Sequence, residues 1–166
     1  MPILRFTAIL LLAAVSMTIA CGHENRKSSS HAGTESADTV FDDVIPGCYQ
    51  TSAYFPLLKG KSIGVTANQS ALLNGIHLVD TLLAAGFNVA KTYSPEHGFR
   101  GRAEAGERVS TGMDDITGLP VISLYGKNKK PTAADLEGID IMIFDIQDVG
   151  ARFYTYISTL HYVMEA

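Results

Sequence analysis

The segment IDIMIFDI, residues 139–146, decides the fold class, because it is apolar at every position except Asp140 and Asp145. A strand that is apolar on both sides is typical of a parallel sheet whose two faces are covered. Three other short segments are rich in β-branched residues and also predict strands. They are KSIGVTA at 61–67, FNVAKTY at 87–93 and LPVISLY at 119–125. The chain is therefore predicted to contribute four strands to one sheet.

A helix is predicted between the first two strands, over residues 75–85. Asn74 can cap its start and Gly86 can end it. The predicted core face repeats at helical spacing and consists of Ile76, Val79, Leu82 and Leu83. A long loop rich in Gly and Glu, residues 94–118, follows the second strand.

Two more helices are predicted further along the chain. One begins in PTAADLEG, residues 131–138, where Thr132 and Asp135 have the spacing of a capping box. The other covers residues 153–166. Strands that alternate with helices predict an α/β fold, a Rossmann-like parallel sheet with helices on both faces. The first strand runs into TANQSALLNG, which contains no glycine-rich phosphate motif, so no cofactor is predicted.

The N-terminus, MPILRFTAILLLAAVSMTIACG, resembles a bacterial lipoprotein leader. We expect residues 1–20 to be a signal peptide, Cys21 to be lipidated, and polar residues 21–39 to form a disordered tether before a domain at 40–166. The protein would then be exported and held at a membrane, facing the periplasm or the cell surface. The alternative is an ordinary signal peptide, which would leave Cys21 able to pair with Cys48.

Charge and cysteine content exclude several classes of protein. The formal net charge is −4 and no basic stripe carries interleaved aromatic residues, so no nucleic-acid partner is predicted. The chain has two cysteines, far apart and without a CxxC pair, so they do not make a zinc framework. No metal site is predicted.

Polar clusters follow all four predicted strands. In an open parallel sheet, ligands bind in the crevice outside the carboxyl ends of the strands. We therefore expect these clusters to share one functional edge. They are Asn68-Gln69, the segment EHGFRG at 96–101, Tyr125-Gly126-Lys127, and QDVGAR at 147–152 followed by Tyr154 and Tyr156.

Long motifs identify a family resemblance over residues 55–166. NQS, SPEHGFRGRAEAGE, TGLPVISLYG, PTAADL and FDIQDVGARFYTYISTLHYVMEA resemble, in order and spacing, the NamZ-type exo-β-N-acetylmuramidases, formerly a bacterial domain of unknown function. The resemblance implies a glycoside hydrolase of peptidoglycan turnover that releases N-acetylmuramic acid from the non-reducing ends of peptidoglycan fragments. Members of the family are longer, so the resemblance also implies an N-terminal fragment, with its catalytic domain incomplete at the C-terminus.

Glycosidic bond cleavage usually needs a carboxylic acid that protonates the leaving oxygen. Glu96 is the candidate by position, and the resemblance points to the same residue. His97 is predicted to orient Glu96, to assist proton transfer or to bind sugar hydroxyls; the alternative is a histidine that locks the loop through the backbone. Asp148 is the positional candidate for a second carboxylate, and the substrate's own 2-acetamido group is the alternative. Glu104 and Glu107 in the loop are weaker candidates. Asp145 is expected to be buried within the strand and to make a structural hydrogen bond.

The remaining candidates are predicted to bind substrate. Arg100 and Arg152 could each read the lactyl carboxylate that distinguishes N-acetylmuramic acid from N-acetylglucosamine, or could pair with Asp148 or a loop Glu. Tyr154 and Tyr156 could stack on sugar faces or pack in the core. The amides suit hydroxyl and acetamido recognition or turn capping: Asn68, Gln69 and Gln147. A non-catalytic lipoprotein module that binds muropeptides or sugars at the same edge is the alternative function.

Overall fold

A computed structural model describes residues 44–166. Its main element is a five-stranded sheet in the order β5-β6-β4-β1-β7, which confirms the predicted α/β class. Four strands are parallel: β1 (Ser62–Ala67), β4 (Asn88–Ser94), β6 (Pro120–Ser123) and β7 (Ile141–Asp145). The short strand β5 (Gly112–Met113) pairs antiparallel with β6, inside the segment predicted to be a loop.

Helices cover both faces of this sheet. A 3-10 turn at Gly47–Tyr49 precedes α1, and the helices are α1 (Thr51–Leu58), α2 (Leu78–Ala84), α3 (Ala133–Leu136) and α4 (Tyr156–Glu165). One core contains Ile63 and Val65 of β1 with Leu82 of α2, whereas the other contains Tyr93 with Leu136 of α3 and Val163 of α4. Successive side chains of a strand point to opposite faces, so the two cores lie on opposite sides of the sheet.

Strand β1 lies between β4 and β7, and this position determines where the functional edge forms. The chain runs from β1 to β4 and β6 on one side, then returns to β7 on the other side of β1. The strand order reverses at the β1–β7 pair, and ligands of open α/β sheets bind at such a reversal. Ala67 pairs with Asp145 at this end, so the segments after both strands emerge next to each other.

Strand β7 differs from its prediction in one respect. The apolar pattern of residues 139–146 predicted a strand covered on both faces, but every residue of β7 is only partly buried. The reason is its position, since β7 is an edge strand of the sheet within the described residues. Apolar composition reports that a strand is shielded, but it does not distinguish a central strand from an edge strand.

The helix predicted at 75–85 is shorter and is preceded by a hairpin. Strands β2 (Leu72–Leu73) and β3 (Ile76–His77) pair around an Asn74-Gly75 turn whose φ angles are 53° and 79°. Positive φ at both positions is the signature of a type I′ hairpin turn, for which Asn-Gly is favoured. Asn74 is therefore a turn residue and not a helix cap. Ile76, predicted in the core, is 57% exposed.

Other predicted boundaries agree to within a few residues. Gly86 follows α2 with a φ of 81°, and Thr132 and Asp135 form the predicted capping box of α3. The last helix begins at Tyr156. The predicted signal peptide, Cys21 and the tether lie outside the described residues. Within residues 44–166, no helix combines the length and apolar composition needed to cross a bilayer.

Candidate active site

Two adjoining cavities lie at the carboxyl ends of the parallel strands. One, of about 310 Å³, lies over the segments that follow β1 and β7. The other, of about 200 Å³, opens beside Glu96 after β4. Together they form what we call the rim site. Both cavities are lined by His97, Tyr154 and Tyr156.

The two carboxyl oxygens of Glu96 have different surroundings. Oε1 accepts hydrogen bonds from the Tyr125 hydroxyl at 3.0 Å and from the backbone N–H of Gly106 at 3.3 Å. Oε2 accepts only a long bond, 3.4 Å, from the Thr155 hydroxyl. A proton on this carboxyl group therefore belongs on Oε2, because Oε1 is occupied by two donors. The bond to the carboxylate raises the pKa of the Tyr125 hydroxyl.

His97 is held in an unusual backbone conformation. Its φ is 70°, in a turn closed by a bond from Gly98 N–H to the Pro95 carbonyl at 3.1 Å. A non-glycine residue in this region is strained, and such strain clusters at functional sites. The ring Nδ1 lies 3.1 Å from the Ala103 carbonyl. Since a carbonyl only accepts, Nδ1 must donate, and the neutral ring then presents Nε2 as an acceptor.

The amide side of the rim site connects the two strand ends. Asn68 is 1% exposed, and its Oδ1 accepts from both the N–H and the hydroxyl of Ser70, at 2.9 and 2.7 Å. The Ser70 hydroxyl in turn accepts from the Gln147 N–H at 2.9 Å. The two bonds from Ser70 agree with the alternative role of Asn68 as a turn-capping residue, because they occupy its Oδ1. The side chains of Gln69 and Gln147 line the cavity.

The Gln69 side chain passes very close to Gly101 of the EHGFRG segment. A Cβ at position 101 would lie 2.6 Å from Gln69 Cδ, and the φ of Gly101 is 67°. Only glycine meets both conditions without strain. The contact fixes the distance between the segment after β1 and the segment that carries Glu96.

Aromatic side chains from the segment before α4 form the remaining wall. The rings of Phe153 and Tyr154 are 5.4 Å apart, and those of Tyr154 and Tyr156 are 6.4 Å apart. Phe153 is 85% exposed and Tyr154 42%, whereas Tyr156 is buried, which raises the pKa of its hydroxyl. An exposed ring beside a polar cavity is suited to packing against the apolar face of a sugar.

Arg100 does not face the rim site. Its guanidinium donates two bonds to Asp80 at 2.8 and 2.9 Å and two to Asp114 at 2.7 and 3.0 Å. The side chain is 14% exposed and lies 4.9 Å from the Phe99 ring. Four of its five N–H donors are therefore committed to protein carboxylates, which corrects its prediction as a substrate-binding residue.

The other predicted acids do not line the rim site. Asp148 is exposed and lies between Gln147 and Val149, which line the cavity while Asp148 does not. The carboxyl of Glu107 accepts from the Glu104 N–H at 2.7 Å, within the loop. Among residues 44–166, no group of His, Cys, Asp and Glu has the arrangement to hold a metal ion.

Asp145 was predicted to make a structural hydrogen bond, and the structure contradicts this. Its Oδ2 is buried and has no partner among the described residues, and burial raises the pKa of the carboxyl. Burial costs less free energy for a neutral carboxylic acid than for a charged carboxylate, which explains why the pKa of Asp145 rises.

The structure thus brings together seven of the ten predicted catalytic and substrate-binding residues and leaves out Arg100, Asp148 and the exposed Arg152. The seven are Glu96, His97, Asn68, Gln69, Gln147, Tyr154 and Tyr156. Sequence reasoning missed four residues as members of the site: Ser70, Tyr125, Phe153 and Thr155. Tyr125 stood in a predicted polar cluster and Phe153 next to two chosen tyrosines, whereas the hydroxyls of Ser70 and Thr155 gave no signal.

The sequence matches proteins of one family. Residues 63–166 match the family model described as "Exo-beta-N-acetylmuramidase NamZ, N-terminal". A Bacillus subtilis (strain 168) protein named peptidoglycan beta-N-acetylmuramidase NamZ is 45% identical over 130 residues, which is 77% of this chain and 30% of that protein. The chain thus spans under a third of the length of this relative.

Two crystal structures of DUF1343 family proteins from Bacteroides fragilis NCTC 9343 are also similar. One has a TM-score of 0.62 and 44% identity over 75% of this chain and 31% of its own. The other has a TM-score of 0.61 and 41% identity over 69% of this chain and 29% of its own. The family match covers well over half of the chain and includes every residue of the rim site. The chain therefore belongs to the NamZ N-terminal family of exo-β-N-acetylmuramidases.

Proposed function

We propose that this chain carries the acid-bearing part of the active site of a glycoside hydrolase. Its substrates would be peptidoglycan fragments, from whose non-reducing ends it releases N-acetylmuramic acid. The observation that carries the proposal is the unequal hydrogen bonding of the Glu96 oxygens at the rim site. Membership of the NamZ family and the name of the Bacillus subtilis relative support the reaction class.

Glu96 is proposed as the general acid. In the protonated carboxyl group, Oε2 holds the proton while Tyr125 and Gly106 fix Oε1. Transfer of that proton to the glycosidic oxygen leaves a carboxylate that these two donors already stabilise, so the product of the proton transfer is favoured. Thr155 is close enough to Oε2 to orient its proton.

His97 is proposed to bind the sugar through Nε2. With Nδ1 donating to Ala103, the neutral ring accepts a hydrogen bond from a hydroxyl, an amide N–H or a water in the cavity. Asp148 remains a candidate for the second carboxylate, although it does not line the cavity. The acetamido group of the substrate is the other candidate, as in substrate-assisted glycosidases.

The experiment measures release of a chromogenic group from a β-N-acetylmuramic acid glycoside, beside the N-acetylglucosamine analogue. The chain is assayed alone and joined to the part of the Bacillus subtilis relative that it does not cover. In whichever form is active, we expect Glu96→Gln to lower kcat by about 10²- to 10⁴-fold, the usual contribution of a general acid. The muramic substrate should be cleaved in preference to its analogue.

The matched control is Glu137→Gln, which changes an exposed glutamate at the end of α3, away from the rim site. It should cleave at the wild-type rate. If Glu96→Gln cleaves as fast as this control, Glu96 is not the acid. If no form cleaves but the sugar binds to wild type and Glu96→Gln alike, the alternative function of a non-catalytic binding module is supported.

We further propose that the protein is exported and anchored through a lipid on Cys21. Support comes from the sequence alone, in which an arginine, an apolar run and TIAC follow each other as in a lipoprotein leader. In cells, wild-type protein should partition into the detergent phase of a Triton X-114 extract and Cys21→Ser should not. Equal partitioning of both proteins would contradict lipidation at Cys21.

A further inference from the structure

A second and larger cavity lies beside the rim site and carries positive charge. It has a volume of about 820 Å³ and runs between the loop at 106–111 and the segment after β6. Three cationic side chains line it, and no acidic residue does: Arg108, Lys127 and Lys129. We call it the cationic groove.

The charge of the groove is not compensated locally. None of its three cations lies within 4.0 Å of a carboxylate among residues 44–166, whereas Arg100, Arg102 and Lys130 all form ion pairs. The chain as a whole has a net charge of −4. A concave wall of one sign on a protein of the opposite sign attracts an oppositely charged ligand.

Two residues connect the groove to Glu96. Tyr125 and Gly106 both line it, and these two residues donate the hydrogen bonds that hold Glu96 Oε1. The groove therefore lies on the Oε1 side of Glu96. The groove also contains hydroxyl groups. Thr111 accepts a bond from Ser123 N–H at 3.1 Å and retains its own proton as a donor.

We propose that the cationic groove is a subsite for a carboxylate of the substrate. This inference rests on the proposed function, because it takes the substrate from there. Peptidoglycan fragments offer carboxylates of two kinds, the lactyl group of muramic acid and the peptide attached to it. Arginine and lysine side chains both bind carboxylates through charge-assisted hydrogen bonds. Arg100 is excluded from this role by its bonds to Asp80 and Asp114, and Arg152 lines neither the groove nor the rim site.

The test measures binding, so that it does not depend on turnover. Three probes are titrated into the chain by calorimetry. The first is the disaccharide of N-acetylmuramic acid and N-acetylglucosamine, with a free lactyl carboxylate. The second is the same disaccharide with that carboxylate converted to a neutral methylamide. The third carries a short peptide on the lactyl group, so that its carboxylates belong to the peptide.

The test variant is Lys127→Gln with Lys129→Gln, and the matched control is Lys59→Gln with Lys61→Gln. All four lysines are exposed, and the control pair lies before β1, at the opposite end of the parallel strands. Both variants remove two positive charges, so a general change of net charge affects them equally. Thermal unfolding of both variants at the wild-type temperature checks that the fold is intact.

We expect the groove variant to lose about 3- to 10-fold in affinity for a carboxylate probe, as two exposed ion pairs allow. The methylamide probe should bind wild type and groove variant equally, and the control variant should bind all probes like wild type. A loss confined to the first probe assigns the groove to the lactyl carboxylate. A loss with the third probe assigns it to the peptide.

The subsite is overturned if the groove variant binds every probe like the control, if it loses the methylamide probe equally, or if wild type binds none of the probes. Failure of the proposed function has a different outcome. If the chain binds the carboxylate probes through the groove but no form of it cleaves, the subsite is supported and the proposed reaction is contradicted. If the chain cleaves but the groove variant binds the probes with the same affinity as the control variant, only the subsite is contradicted.

Discussion

The hydrogen bonds that a predicted site residue already makes decide whether its side chain can act on a substrate. Arg100 has the chemistry to hold a carboxylate of the substrate, but Asp80 and Asp114 occupy it. Glu96 has the opposite status, since one of its oxygens is held by donors and the other is nearly free. Availability, more than residue type, therefore separates the functional groups of this site from the structural ones.

The hydrogen bond between Tyr125 and Glu96 can be tested without any substrate. A carboxylate acceptor stabilises the neutral tyrosine hydroxyl and repels the tyrosinate, which raises the pKa of Tyr125 above its ordinary value of 10.0. Replacing Glu96 with Gln removes the charge. We therefore expect Tyr125 to titrate at lower pH in Glu96→Gln than in wild type, followed by ¹³C NMR of the tyrosine ring.

Glu137→Gln again serves as the control, and the titration of Tyr125 should be unchanged in it. A Tyr125 that titrates identically in wild type and Glu96→Gln would mean that the two side chains are not bonded in solution. Tyr125→Phe identifies the resonance.

Sequence reasoning found Glu96 and His97 because they stand directly after a strand, where position in the chain determines position in the site. It could not find the bond from Thr155 to Glu96, which joins residues 59 positions apart. Nor could it decide between the two roles of Arg100. The partners Asp80 and Asp114 lie in α2 and beside β5, and only the folded chain brings them to the guanidinium.

At the scale of secondary structure, a substitution in the Asn74-Gly75 turn distinguishes the observed hairpin from the predicted helix, because the two structures predict opposite changes in the free energy of unfolding. Gly75 has a φ of 79°, and a Cβ there would meet no atom within 4 Å. Gly75→Ala should therefore destabilise the protein through backbone strain alone, by about 1–2 kcal/mol. Had residues 75–85 been one helix, the same change would stabilise it by up to about 1 kcal/mol. Urea unfolding measures the difference.

Gly47→Ala is the control for this change. Gly47 also has open space around its Cβ position but no positive φ. Its substitution should alter the free energy of unfolding by less than about 0.5 kcal/mol, as is usual for surface positions. A stabilised Gly75→Ala variant would favour the helix and contradict the hairpin.

The strands were predictable because each is a short β-branched or apolar run bounded by polar segments. The capping box of α3 was predictable for a similar reason, since Thr132 and Asp135 bond each other's backbone within one turn. The hairpin was missed because Leu72, Leu73 and Ile76 also fit the approach to an amphipathic helix. The Asn-Gly pair was the local signal that separates the two structures.

At the scale of the whole molecule, one ion-pair network joins three segments distant in sequence. Asp114 is 6% exposed, and its bonds to Arg100 lower the pKa of its carboxyl to about 2 from an ordinary 3.8. Because the pKa of this carboxyl is lower in the folded than in the unfolded chain, the ionised group stabilises the fold at pH values above the unfolded-state pKa. This stabilisation is lost as the pH falls through the folded-state pKa. We expect wild type to lose about 1–2 kcal/mol of stability between about pH 4 and pH 2 through this carboxyl.

Asp114→Asn removes the titrating group, so its stability should fall less steeply with acid while being lower at neutral pH by about 1–3 kcal/mol. Asp115→Asn is the control, because Asp115 is 83% exposed and pairs only with the exposed Arg102. It should follow the wild-type curve. Urea unfolding across this pH range compares the three proteins, and parallel curves for all three would contradict the role of Asp114.

The fold class followed from the four strands, but their order did not. Nothing in residues 139–146 indicates that β7 lies at an edge of the sheet that residues 44–166 form, because its apolar side chains are partly shielded in either position. Partners along the sheet are chosen by packing across the whole domain, and a local pattern does not report them.

The position of β1 between β4 and β7 has a consequence for how the domain folds. One side of β1 pairs with β4 soon after synthesis, but the other side waits for β7, as in the bond from Ser62 N–H to Asp140, 78 residues away. The link between Ser70 and Gln147 spans 77 residues and closes later still. Contacts this distant slow folding, because chain entropy is lost before they form. The rim site therefore cannot close until the segment that follows β7 has been made.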